Sequence, residues 1–174
     1  MNSEIKNFPI IELSFDHYQT TSEMIKELKD RVSSDLVISS VVRDIPIEDF
    51  FTSFREGIFS GDPKYHAYVH SVDPRESKVI EDETYYQFTK RVKKDYDLKT
   101  LPANAVPALL VNFSPSYYNR PCMVTFLFQI KIHNSWMHCA FVLESDEEGL
   151  PIIKFIGLNP ESKLNMDYDY LFLV

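Results

Sequence analysis

The 174 residues suit one domain with a sizeable core, and 44% hydrophobic against 25% charged residues is a globular balance that excludes disorder and low-complexity classes. Eighteen Lys and Arg against 26 Asp and Glu give a net charge of −8, which disfavours nucleic acid and anionic membranes and favours basic partners. Four glycines, no two placed to cradle a phosphate, remove nucleotide-loop fingerprints, and two cysteines, Cys122 and Cys139, make no disulfide framework. The Met1-Asn2-Ser3-Glu4 start has no basic-then-apolar leader, and no apolar run reaches the ~18 residues of a membrane helix, so a cytoplasmic, single-domain protein is expected.

Residues 8–15 are a short apolar stretch, either a strand or a lead-in. Thr20 with Glu23 three positions later fits a capping box, and Met24, Ile25, Leu28 and Val32 then recur at helical spacing, which predicts a helix over 21–33. The β-branched run 36–42 fits a strand or buried helix equally well. Pro46, Glu48 and Asp49 suit the first turn of a second helix. Ile47, Phe50, Phe51, Phe54 and Ile58 form its inner face, read as core packing, before Gly57 and Gly61 end it.

Asp62-Pro63 can cap a short helix over 64–72 that Asp73-Pro74 stops. A further helix is predicted over 82–95, with Glu81, Asp82 and Glu83 at its start and Lys90, Arg91, Lys93 and Lys94 toward its end, the order the helix dipole prefers. Tyr85, Phe88, Val92 and Tyr96 make its inner stripe, and the basic cluster reads as a solvated helix end.

Beyond Pro102 and Pro107 the period changes from helical to alternating. Residues 108–113 read as a strand, 114–121 as a loop, and 123–133 and 136–143 as two strands joined by Asn134-Ser135. With that pair as the turn, Ile132 faces Met137, Ile130 faces Cys139, Phe128 faces Phe141 and Phe126 faces Leu143, so both strands turn their apolar residues to one side. Thr125, Gln129, Lys131, His133, Trp136, His138, Ala140 and Val142 fall on the reverse, with Lys131 opposite His138. A loop over 145–149 leads to a last strand over 152–158. The expected fold class is α+β, with N-terminal helices packed on a curved antiparallel sheet of about four strands.

This order of elements resembles the nuclear-transport-factor-2-like superfamily. The segments that carry the likeness are Phe50-Phe51-Thr52-Ser53-Phe54, the stretch ending in Asp73-Pro74, and the run from Ile132-His133-Asn134-Ser135-Trp136 to Leu143. It extends over roughly 45–158 and implies a cone of bent sheet closed by helices; the run 36–42 is an addition to that pattern. Members include small isomerases and dehydratases, protein-transport scaffolds and immunity proteins that neutralise bacterial toxins. The isomerase branch implies an Asp and a Tyr inside the cone, and none of the three final strands here carries such an Asp.

Three groups of residues invite a role. His66 and His70, four apart, share one side of either a helix or a strand, and Asp62, Asp73 or Glu76 could supply a third ligand, yet no HExxH pattern and no closely spaced Cys pair accompanies them, so no metal and no cofactor are expected. Lys131, Trp136 and His138 on the reverse of the hairpin form a candidate ligand-binding face, with His138 as general base and Lys131 polarising a carbonyl. Glu144, Asp146, Glu147 and Glu148, and separately Asp167, Tyr168, Asp169 and Tyr170, form acidic clusters suited to a basic protein, since charge steers encounter and tyrosines supply rigid contact area. The apolar run Leu171-Phe172-Leu173-Val174 needs either an edge-strand position or burial in another chain.

The leading expectation is a non-catalytic acidic binding protein, an immunity-type inhibitor that occludes a basic toxin or other cationic protein, as monomer or homodimer. The alternatives are a small-molecule binding protein or isomerase-like enzyme at Trp136 and His138, and a scaffold that dimerises through its sheet.

Overall fold

A computed structural model describes residues 10–16, 64–78, 80–101, 109, 120–125, 127–132, 135–145, 147 and 151–174. In chain order they form β1 (Ile10–Asp16), β2 (Lys64–Val72), α1 (Tyr85–Tyr96), β3 (Lys99–Thr100), β4 (Cys122–Val124), β5 (Phe128–Ile132), β6 (Ser135–Ser145), β7 (Pro151–Gly157) and β8 (Asp169–Leu173). The expected helices over 21–33 and 47–58 and the run 36–42 lie outside the described residues. So does the expected strand over 108–113 except Leu109, which is buried and helical.

The strands pair into one open mixed sheet in the order β1-β2-β8-β4-β6-β5, with β3 also pairing β8 and β7 also pairing β6. The fold is therefore α+β but dominated by its sheet, with α1 the one helix described from end to end. Two expectations need correcting. The sheet is wider than four strands, and it is not wholly antiparallel, because β8 runs parallel to β4. The run 171–173 is no edge strand either: β2 lines one side of β8, and β4 and β3 share the other. Tyr170, Leu171 and Phe172 are consequently buried in succession, on both faces of the sheet.

The segment 64–72 is the strand β2 rather than a helix. It pairs with β1 through seven residues and with β8 through four, and its Tyr, Val and His residues suit a half-buried pleat. On a strand, His66 and His70 are about 13 Å apart along the chain, too far to share one ion.

α1 begins with a capping box that Thr84 and Gln87 make: the Thr84 hydroxyl accepts from the Gln87 N–H, and the Gln87 side chain accepts from the Thr84 N–H. Lys93 and Lys94 lie in the last turn, and Asp97 closes the helix in the left-handed region. The inward stripe is the expected one, with Tyr85, Phe88 and Val92 buried and Tyr96 half-buried. It packs on Val72, Met123, Ala140, Val142, Tyr170 and Phe172. The Phe88 ring stands 5.0 Å from that of Tyr170 and 6.0 Å from that of Phe172, within the range of favourable tilted aromatic pairs. Full burial of such a ring stabilises the fold by about 2–3 kcal/mol.

The hairpin β5–β6 is present, but its register differs from the expected one. Ile132 pairs with Ser135, Ile130 with Met137 and Phe128 with Cys139, which leaves residues 133 and 134 between the paired ends. This is a slip of two, so face assignments survive while every partner changes. Upstream, Cys122 pairs with Leu143. Six positions from Cys122 to Phe128 thus span four on β6, and the surplus falls between β4 and β5, where β4 gives way to Thr125. Thr125 is buried there. Its hydroxyl donates to the Leu171 carbonyl and accepts from the Leu101 N–H, and its carbonyl accepts from the Tyr85 hydroxyl at 3.0 Å.

Cys139, Phe141 and Leu143 are buried as expected, but so are Ala140 and Val142, assigned above to the open reverse. α1 lies over that reverse face. In a sheet this wide, both faces of a strand with neighbours on either side can be covered, and small apolar residues at alternate positions are what such a strand carries.

Candidate functional site

Residues 73–78 and 80–83 form one wall, and residues 159–168 the other, of a groove beside the entrance to α1. The first wall starts as a tight turn: the Asp73 carbonyl accepts from the N–H groups of Glu76 and Ser77, and its carboxylate accepts from the Arg75 backbone N–H at 2.8 Å and from the Arg75 guanidinium. Arg91 of α1 then anchors the wall from behind, donating to the Ser77 carbonyl at 2.7 Å and to both oxygens of Glu83. The second wall is laced to the helix entrance. Leu164 N–H donates to the Glu83 carbonyl at 2.8 Å, Tyr86 N–H donates to the Pro160 carbonyl at 3.0 Å, and Thr84 pairs with Lys163.

Arg120 joins the walls at one end. Its Nη1 lies 2.9 Å from Asp73 and 2.6 Å from Asp169, and its Nη2 donates to the Met166 carbonyl. Burial pushes the Asp73 carboxyl up, but hydrogen bonds from Arg75 and the charge of Arg120 outweigh it and hold Asp73 below the usual range. Asp169 goes the other way: burial, against the pull of Arg120 and with the push of Asp73, holds it above that range.

The space between the walls is about 240 Å³. Pro74, Ile80, Leu164 and Met166 give it an apolar lining, while Glu81, Asp82 and Lys163 stand at its rim. Ile80 is 48% exposed, a large aliphatic side chain left in water. Glu76, Glu81, Asp82, Glu161 and Asp167 are all exposed on the segments that build the walls, against the exposed cations Lys78, Lys163 and Arg75. Arg75 is tied to Asp73, and Lys163 meets Asp82 at 2.6 Å, so the surplus at the rim is negative.

Of the acidic cluster at 167–170, only part faces outward. Asp167 is exposed and adjoins the groove residue Met166, and Tyr168 is half-buried against the core. Asp169 is engaged by Arg120, and Tyr170 is 1% exposed, its hydroxyl donating to the Asn165 carbonyl. Tyr170 therefore offers no partner surface, because alternation along a strand covered on both faces turns it into the core.

In the other acidic cluster, Glu144 is half-buried and paired with Lys154, Glu147 is exposed, and Asp146 and Glu148 lie outside the described residues. The hairpin residues are placed differently from expectation. Lys131 pairs with Trp136, and His138 pairs with Gln129, their Nε2 atoms 2.8 Å apart. Trp136 is 66% exposed. Trp136 and Glu144 stand eight residues apart on β6, roughly 26 Å, so hairpin and acidic loop are separate surfaces.

Burial raises the thiol of Cys139 to about 11 and that of Cys122 further still, so both stay protonated. Among the described residues, no group of His, Cys, Asp and Glu is placed to hold a metal ion. Among them also, no helix is long and apolar enough to cross a membrane.

The residues that build the groove, Ile80, Glu83, Arg91 and Arg120, were not singled out for it by sequence. Arg91 and Glu83 read as helix-end charges, and Arg120 finds its partners 46 and 49 positions away, where no local pattern points. Compared with protein-family models, curated proteins and solved structures, the chain matches none.

Proposed function

We propose that this chain is a non-catalytic acidic binding protein that occludes a cationic protein, in the manner of an immunity-type inhibitor. The observation that carries the reading is the excess of exposed carboxylates, Glu76, Glu81, Asp82, Glu161 and Asp167, on two walls held rigid by hydrogen bonds. A negative field of this kind, on a chain of net charge −8, raises the encounter rate with a basic surface and disfavours acidic competitors. The walls need little ordering on association, because Arg91 and Arg120 already fix them from behind, and that limits the entropy lost in binding.

Titration of a panel of basic proteins at low and at high salt tests the reading. Saturable binding that weakens as salt rises is the expected result. Absence of salt-sensitive binding across the panel would count decisively against it.

A further inference from the structure

We infer that the groove between 80–83 and 163–166 receives one apolar side chain of the partner, leucine- or phenylalanine-like, flanked there by lysine or arginine. The inference rests on the function proposed above and gives that partner its local chemistry.

Three observations lead to it. First, size: about 240 Å³ lies below the roughly 300–1,000 Å³ of small-molecule sites and suits a single anchoring side chain. Second, lining: Ile80 is half exposed over buried Leu164 and half-buried Met166, so an incoming apolar group would remove apolar surface on both sides from water. Met166 is unbranched, and its thioether adapts to aliphatic and aromatic shapes alike.

The third observation is the rim. Glu81 and Asp82 stand beside the opening, with Asp167 next to Met166 on the far wall. Carboxylates around an apolar floor fit a basic-apolar-basic segment and repel an acidic one. The rim cation Lys163 is no obstacle. It is 68% exposed on a flexible stem, and a partner guanidinium can replace it at Asp82 with a two-point contact that an ammonium does not make.

The test uses the full chain and two fluorescein-labelled peptides, Arg-Lys-Leu-Lys-Arg and the same peptide with serine in place of leucine. The leucine peptide should bind about tenfold more tightly, the difference expected for burying one aliphatic side chain. Ile80→Ser, at an exposed position, should bring the two peptides to equal affinity. Asp82→Asn should weaken both peptides and flatten their salt dependence, with circular dichroism verifying the fold of each variant. Equal binding of the two peptides, or a leucine preference that survives Ile80→Ser, overturns the groove as the docking cleft and leaves the acidic binding function standing. Failure of both peptides to bind the unaltered chain overturns the two together.

Discussion

Arg91 holds Glu83 in a two-point grip, Nε to Oε1 at 2.7 Å and Nη2 to Oε2 at 2.8 Å, with only 11% and 5% of the two side chains exposed. The pair sits at the foot of the groove wall and ties it to α1. Replacing Arg91 by Ala leaves a buried carboxylate without its counter-charge, and the expected loss is about 3–5 kcal/mol in urea unfolding. The double variant Glu83→Gln, Arg91→Met should lose less than the sum of the singles, because neither group is then left charged and alone.

Phe88 is fully buried between Tyr170 and Phe172. Phe88→Ala should cost about 3–5 kcal/mol, whereas Phe88→Leu, which refills most of the space, should cost distinctly less. Thermal unfolding followed by circular dichroism measures both. If Phe88→Ala proved neutral, α1 would not be the lid on this face of the sheet.

Asp73 and Asp169 share Arg120 yet respond to acid with opposite signs. Asp73 has a carboxyl held below the ordinary 3.8, so its contribution is present above that value and is lost as pH falls through the lowered one. Asp169 is held above 3.8, so the folded state takes up its proton first, and stability gains as pH falls through the raised value. Asp73→Asn should therefore remove part of the acid-induced loss, and Asp169→Asn should remove the gain. Urea unfolding across an acidic pH series reads both slopes, and equal slopes for the two variants would contradict this arrangement.

Trp136 is the one tryptophan of the chain and lies two-thirds in water. Its fluorescence should be red-shifted in the native state, readily quenched by iodide, and little changed on unfolding. Trp136→Phe should alter stability by no more than about 0.5 kcal/mol, as at other surface positions. A blue-shifted native emission would mean that something covers the indole.

The legible parts of this fold are those where a local pattern decides. The stripe Tyr85, Phe88, Val92 and Tyr96 with Lys93 and Lys94 behind it identifies α1, and alternation identifies β6 and the strand at Pro151–Gly157, whereas the strand expected over 123–133 is divided into β4 and β5. Alternation cannot separate registers that differ by two, so Trp136 was set against the wrong neighbour although its face was right. In 64–72, prolines at both ends mimicked helix punctuation, and pairing with β1 and β8 decided the matter from outside the segment. The groove was the least legible feature. Its walls are set by contacts such as Arg120 with Asp73 and Asp169, which join residues remote in sequence, and no local pattern around Ile80 points to its place beside Leu164.

The insertion of β8 between β2 and β4 has a consequence for how the sheet comes together. Ser71 and Asp169, hydrogen-bonded side by side, are 98 positions apart in the chain. Without that keystone the β1–β2 pair and the β4–β6 pair would each lack their inner neighbour, and bringing them together closes a long loop, which predicts slow folding. The same gap offers a split-protein design: a chain lacking 169–174 should stay incompletely folded and recover its native spectrum when a synthetic peptide of those residues is supplied in trans.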